Sequence, residues 1–242
     1  MKRDLENSAN RELYIANDIE IIDLALKYKD NLIFSDFHMG YEEYLNKQGI
    51  LAPRFQLEET LKRLKNIFSK VKINRVIING DLKHEFGTIS RQEWNDTLKL
   101  LDFLSENCNE IVLIKGNHDT ILDIIAEKRN IKIVNSFKID DILIVHGDKL
   151  VDIDKDVKKI IIGHEHPAIY LKELRVEKYK CFLAGKYNGK TLIVQPSFNL
   201  VLEGTDIRKE HLLSPYLQQD LGNFKVFVVG DKVYDFGKLK EI

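Results

Sequence analysis

The sequence predicts a layered α/β domain in which two β-sheets share one core, and three observations predict it. In the first half, strand-like apolar runs alternate with two long amphipathic segments, the pattern of βαβ units. The second half is a succession of short apolar runs punctuated by turn residues, with no long amphipathic helix. No Pro/Ser-rich linker or internal repeat divides the 242 residues, so a single domain over 1–242 is expected, with a loose polar leader at 1–11.

Taken in order, residues 13–22 and 24–27 read as two strands separated by a turn near Asp23, and 31–35 as a short buried strand. Residues 41–53, closing at Pro53, are too polar and glycine-interrupted for a core element. Residues 54–70 place Leu57, Leu61, Leu64, Ile67 and Phe68 at helical spacing. A strand at 75–79 follows, then a second amphipathic helix at 91–105 with Trp94, Leu98, Leu101 and Leu104 on one side. The run beginning at Ile111 is a buried strand that delivers Gly116-Asn117-His118-Asp119, and 121–128 reads as a short helix. Further strands are expected at 131–134, 137–139, 142–146, 160–163, 168–171, 180–184, 191–195, 225–229 and 232–236. Asn188-Gly189 and Gly230-Asp231 are hairpin turns by composition, whereas 204–222 has no clear character.

Composition narrows the function classes. Apolar residues make up 44%, enough to bury a sizeable core, and the net charge of −1 excludes a global basic field for coating nucleic acid or anionic lipid. Cys108 and Cys181 form neither a disulfide framework nor a metal-type spacing, which suits a reducing compartment. No signal peptide or membrane-spanning run is present, so a cytoplasmic protein without a membrane partner is expected.

Six of the seven histidines (His38, His84, His118, His146, His164 and His166) follow apolar strand runs, and His211 alone reads as a surface residue. One histidine at a strand end is ordinarily a satisfied surface or core group. Five strand ends that each finish in His, Asp or Asn need another explanation, because ligands bind in open α/β sheets at carboxyl strand ends. Asp36 and His38 stand at i and i+2, so an extended backbone would aim both at one cation; His164 and His166 repeat the spacing. Asp81 offers two oxygens that can bridge cations, Asn117 a neutral oxygen and His146 another imidazole. Seven N/O donors without a thiolate suit Mn, Fe, Zn, Ni or Co, and hold too much imidazole for Ca or Mg. They are too many for one ion and fit two divalent ions about 3.5–4 Å apart, which acidify a bridging water and neutralise phosphate charge. His118 is left free of the metal shell to protonate a leaving oxygen.

Asp36-x-His38, Gly80-Asp81, Gly116-Asn117-His118-Asp119, His146-Gly147 and Gly163-His164-x-His166 resemble, in order and spacing, the five blocks of calcineurin-like metallophosphoesterases. The resemblance implies an α-β-β-α sandwich, two mixed β-sheets flanked by helices. It implies one metal on Asp36, His38 and His166, another on Asn117, His146 and His164, Asp81 between them, and His118 as general acid to an attacking metal-bridging hydroxide. Gly80-Asp81-Leu82-x-His84 is similar to SbcD-type nucleases, in which that histidine faces the scissile phosphate. Residues 36–42, Pro53-Arg54-Phe55-Gln56, 163–167, Pro196-Ser197-Phe198-Asn199 and Leu213-Ser214-Pro215 look like the SbcD-related, ICC-like phosphoesterases of archaea. The DNA-capping domain and coiled-coil docking region of full SbcD nucleases are not expected here.

The remaining polar residues have plainer readings. Asp119 either orients His118 or caps the following helix; Asp148 forms a turn; Glu165 points away from the face used by His164 and His166. Arg54 is a candidate substrate-binding residue if 41–53 closes over the site, and otherwise a solvated helix-start arginine. The expected function is a dinuclear metal-dependent phosphodiesterase, nuclease-like, acting on DNA or a nucleotide, with manganese as the first ion to consider. The alternatives are a phosphomonoesterase for a small metabolite or phosphoprotein, and a non-catalytic binding scaffold. The strand-rich second half offers a sheet edge for a homodimer.

Overall fold

The computed structural model describes residues 13–85, 90–119, 122, 129, 131–171 and 177–242. The leader at 1–11 and, apart from Leu122, the short helix at 121–128 fall outside them. Two sheets make the frame. The first runs in the order β1 (Leu13–Ala16), β2 (Ile19–Ile22), β3 (Ala25–Tyr28), β4 (Asn31–Ser35), β5 (Arg75–Asn79), β6 (Glu110–Ile114) and β7 (Lys132–Val134). β1 to β4 are antiparallel neighbours, whereas β4, β5, β6 and β7 are parallel. Residues 13–22 are thus two strands rather than one, because Asn17 and Asp18 turn the chain and pair Leu13 with Ile21.

The second sheet has parallel β9 (Ile142–Val145), β10 (Lys159–Ile162) and β13 (Lys190–Val194) at its centre. β8 (Ser136–Ile139) lies antiparallel to β9 on one side. On the other, the long β12 (Lys178–Tyr187) pairs with β13, with β11 (Pro167–Tyr170) and with β15 (Lys225–Val229). β14 (Thr205–Asp206) extends β11, and β16 (Val233–Lys238) extends β15. Asn188 and Gly189 close the β12–β13 hairpin with φ of 49° and 79°, the left-handed pair such a turn requires.

Alternation along the second sheet sorts its side chains between two cores. Ile142, Ile144, Ile161, Phe182, Ile193 and Phe227 face the first sheet, while their neighbours Leu143, Val145, Ile160, Ile162, Leu192 and Val226 face outward. The outward face is not left to water. Residues 204–222 cover it, with Tyr216, Leu217 and Leu221 buried against it and a short 3-10 turn at Pro215–Leu217. An irregular cover carries no periodicity, hence its opacity in the sequence. The first sheet is covered by helices α2 (Gln56–Phe68) and α3 (Arg91–Asn107), which pack on each other and bury Leu64, Ile67, Leu100, Leu101 and Leu104. Ser90 caps α3 by accepting from the Glu93 N–H at 3.0 Å.

Within the polar 41–53 segment, residues 41–47 form a short helix, α1 (Tyr41–Lys47), of which Glu42 alone is fully buried. It is only seven residues long, and Glu42, a buried acid, ties it to the fold. That carboxylate accepts from the N–H groups of Phe55 and Gln56, both at 2.8 Å, joining α1 to the start of α2. Among the described residues, no helix is long and apolar enough to cross a membrane.

Lys180 sits at one end of the shared core, where its amine donates to the Ser197 carbonyl at 3.0 Å and hydroxyl at 2.6 Å. Burial, and then Arg63, push that amine down to about 7. A lysine depressed in the fold makes stability climb as pH rises from 7 toward 10.5, since the unfolded chain alone is charged there. Lys180→Met is therefore expected to gain on the parent most at or below pH 7, the gap narrowing at higher pH. Urea midpoints of both proteins at pH 6 and pH 9.5 check this, and a constant gap would rule it out.

Candidate active site

The parallel strands bring their carboxyl ends to one rim. Asp36 and His38 leave β4, Asp81 leaves β5, Asn117 and His118 leave β6, His146 leaves β9, and His164 and His166 leave β10. Backbone bonds sew the loops together: His38 N–H donates to the Asp81 carbonyl (2.9 Å), Met39 to Leu82 (2.9 Å) and His84 to Met39 (3.1 Å). Phe198 and Asn199, just after β13, donate to Ser35 (2.7 Å) and Asp36 (3.2 Å), which joins the two sheets at the rim.

The extended backbone expected at Asp36-x-His38 and His164-x-His166 is absent. Asp36, His38, Asp81, His164 and His166 have φ of 54°, 44°, 46°, 64° and 51°. Side chains two apart converge here because the chain coils left-handed, a conformation costing about 1–2 kcal/mol per residue other than glycine. Two buried amides hold the first of these loops in place. Gln56 Nε2 donates to the carbonyls of Phe37 (3.1 Å) and His38 (2.9 Å), and Asn199 Nδ2 to the same pair (3.0 and 3.2 Å).

Two groups of donors result. In one, Asp36, His38 and His166 bring ligand atoms within 4.8 Å of one another, with the His38 and His166 Nε2 atoms 3.3 Å apart. In the other, Asp81, His146 and His164 do the same, and Asn117 Oδ1 stands 3.0 Å from His146 Nε2. Asp81 Oδ2 touches both groups, at 3.4 Å from His146 Nε2 and 3.7 Å from His38 Nε2. Asp36 Oδ1 is buried without a hydrogen-bond partner and faces His166 Nε2 at 3.4 Å. An orphaned carboxylate oxygen beside converging imidazole nitrogens is what a cation would satisfy. The residues present therefore fit two divalent ions.

Protonation follows the same logic. Burial, then His166, hold His38 well below the usual imidazole range, and burial with His146 lowers His164. Neutral imidazoles are the form that ligates metal. Burial opposes charge on Asp36 too, but His166, His146 and His38 outweigh it and keep the carboxyl well below its usual range. At His146 burial is outweighed by Asp81 and Asp36, which push it up to about 9, so a proton there does part of a cation's work.

His118 lies at the edge of this cluster, its Nε2 3.9 Å from Asp81 Oδ2 and its Nδ1 against the His84 carbonyl oxygen. His84 stacks on it, with ring centroids 5.2 Å apart and 24° between planes, and burial followed by His118 pushes His84 down to about 4. A third imidazole grouping, His38, His84 and His118, is thus formed at the mouth. The Asp119 carboxylate accepts from the N–H groups of Leu82 and Gly116, both at 3.1 Å, and so fastens the β5 loop to the β6 loop. That is a third role beside the two its sequence position suggests. Burial and Asp81 push it up to about 7.

Arg54 is exposed and pairs with Glu43 on α1 at 2.8 Å. Glu165 turns inward and accepts from the N–H groups of Leu213 (2.8 Å) and Ser214 (2.9 Å), docking the 204–222 cover behind the rim. Glu93 and Tyr44 lie in none of the family motifs, and Gln56, Asn199 and Tyr41 stand in motifs that gave them no role. Glu93 is a buried acid on α3 that accepts from the backbone N–H groups of His84 and Glu85, both at 2.9 Å. Its only signal is an acid three residues after a capping serine. Two glycines set the closeness of the loops. A Cβ at Gly80 would overlap the His146 ring, and one at Gly163 would overlap Ser35 Oγ and the Asp36 carboxylate.

Comparison with known proteins fits this geometry. The crystal structure of the Pseudomonas putida nuclease MPE has the same fold, with a TM-score of 0.67 at 18% identity over 93% of this chain and 99% of that one. The E. coli phosphoesterase Yfce is a more distant match, with a TM-score of 0.43 at 12% identity over 86% of this chain and 97% of the other. No curated protein matches the sequence. The family model of calcineurin-like phosphoesterases matches residues 32–204, which contain both donor groups. The chain belongs to the calcineurin-like phosphoesterase family, and is a metal-dependent phosphoesterase.

Proposed function

We propose that the protein is a two-metal phosphodiesterase acting on DNA or a nucleotide, with His118 as general acid and His84 beside the scissile phosphate. The observation that carries this reading is the shared position of Asp81 between two donor groups, with the stacked His118 and His84 rings alongside. The two cations, manganese first among the candidates, supply charge neutralisation on phosphate oxygens and acidify water. Asp36, His38 and His166 would hold one, and Asn117, His146 and His164 the other, with Asp81 common to both. His118 lies outside both groups and donates its proton to the leaving oxygen, oriented by the His84 carbonyl.

A diester is favoured over a monoester by what flanks the rim. Tyr41 and Tyr44 meet His84 edge-on, at 4.8 and 4.6 Å between centroids. Neutral rings suit a singly charged diester with an aromatic substituent better than a dianionic monoester.

The test compares Mn-stimulated hydrolysis of a bis-aryl phosphodiester with that of the aryl monoester, followed by a dinucleotide. The diester is expected to be the faster of the two aryl esters. His118→Ala is expected to lower kcat about 10²–10⁴-fold on the dinucleotide, whose leaving group needs a proton, and far less on a nitrophenyl ester. Faster monoester cleavage would overturn the substrate class, and an unchanged dinucleotide rate would overturn the role of His118.

A further inference from the structure

Tyr41 and Tyr44 are three apart on α1 and so share one face of the helix. Their ring centroids are 6.1 Å apart at 24°, and both rings rest edge-on against His84. His84 in turn places its Nδ1 3.3 Å from His38 Nδ1. A continuous line of rings therefore runs outward from the donor atoms through His84 to Tyr44, which is 36% exposed.

The loop that follows α1 exposes further apolar side chains. Ile50 is 56% exposed and Leu51 95%, and Phe55 is also exposed. They are not presented by a loose segment. Asn46 Nδ2 donates to the Ala52 carbonyl (3.0 Å) and accepts through Oδ1 from the Ala52 N–H (3.2 Å), while the Ile50 N–H donates to the Leu45 carbonyl (3.0 Å). Farther along, the buried Glu42 carboxylate pins the Phe55 N–H. Large apolar side chains held outward on a loop tied to the helix that flanks His84 offer contact area to a ligand.

The chemistry of that surface selects its occupant. Rings and aliphatic groups attract phosphates little, but stack well with a nucleobase, at about 1–3 kcal/mol per base. Within a duplex both faces of each interior base are covered by neighbours, so such a base must be unpaired to reach Tyr44. We propose that α1 and the 48–55 loop form a nucleobase-binding ledge, on which an unpaired base next to the scissile phosphate stacks against Tyr44, with Leu51 at the outer edge. The ledge makes the enzyme selective for single-stranded nucleic acid. This rests on the phosphodiesterase reading above and specifies its substrate.

The experiment uses single-stranded oligonucleotides with one cleavable phosphodiester, flanked either by bases or by abasic sites, and a matching duplex. Wild-type enzyme is expected to prefer the base-bearing single strand over both others. Tyr44→Ala should reduce kcat/KM on the base-bearing strand about 5- to 150-fold more than on the abasic one, as about 1–3 kcal/mol of stacking requires. Tyr44→Phe keeps the ring and should restore the preference. Leu51→Asp, at a side chain the fold does not bury, should raise KM on the base-bearing strand. Equal losses on both strands would show that Tyr44 merely props His84, and equal cleavage of duplex would equally overturn the ledge. Wild type that hydrolyses the small diester but no oligonucleotide would refute the nucleic-acid reading itself, a result distinct from either of those.

Discussion

Adding one methyl group at Gly80 is expected to silence the enzyme while leaving both sheets intact. Gly80 has φ of 81°, a conformation that carries a penalty of about 1–2 kcal/mol for any side chain with a Cβ. Its missing Cβ leaves the space taken by the His146 ring. His146 is packed in turn against the Asn79 carbonyl and Asp81, so the ring can yield only by leaving the second donor group. A displacement of about 1 Å at a reacting centre costs on the order of 10²-fold in rate, and loss of an ion costs more. Gly80→Ala should therefore lower kcat on a diester at least about 10²-fold, with far-ultraviolet circular dichroism unchanged. Manganese titration should show one of two binding steps weakened. Full activity would mean that the His146 ring is not held where the donor group needs it.

Stripping divalent ions should abolish turnover and lower the melting temperature together. A ligand present at about 1,000 times its Kd adds roughly 4 kcal/mol to stability, and in a chain of this size each kcal/mol moves Tm by about 2–4 °C. A fall of about 8–16 °C on chelation is expected, reversed by manganese. Affinity should also rise with pH up to about 9, because a cation entering the second group must displace the His146 proton that Asp81 and Asp36 stabilise. Calorimetry in buffers of different ionisation enthalpy would register that proton. Chelation that stops turnover without moving Tm would show that the loops hold their shape unaided.

Much of the rim is legible in the sequence because strand ends are. Five apolar runs end in His, Asp or Asn, and parallel pairing carries those ends to one place. The two-sheet core is legible for a similar reason: period-2 alternation is a direct image of a two-faced sheet. What stays hidden is set by single polar contacts. Gln56, Asn199 and Glu93 act through one buried amide or carboxylate each, and nothing about an isolated Gln or Glu announces that it binds a distant carbonyl. Left-handed backbone at His38 and His166 is hidden as well: histidine adopts it more often than most residues, but still in a small minority of cases, so residue type alone does not mark the position. Helix α1 falls below the length at which periodicity can be read.

The division of the shared core has a consequence for the nascent chain. The seven strands of the first sheet end at Val134, so that sheet can assemble during synthesis from its own residues. The face it turns to its partner stays uncovered until Ile161, Phe182, Ile193 and Phe227 have emerged. His38 waits likewise for His166, 128 residues later, before the first donor group exists. Ion capture is thus a late event that closes a finished sandwich, and the half-made protein is an apolar sheet in need of shelter on the ribosome.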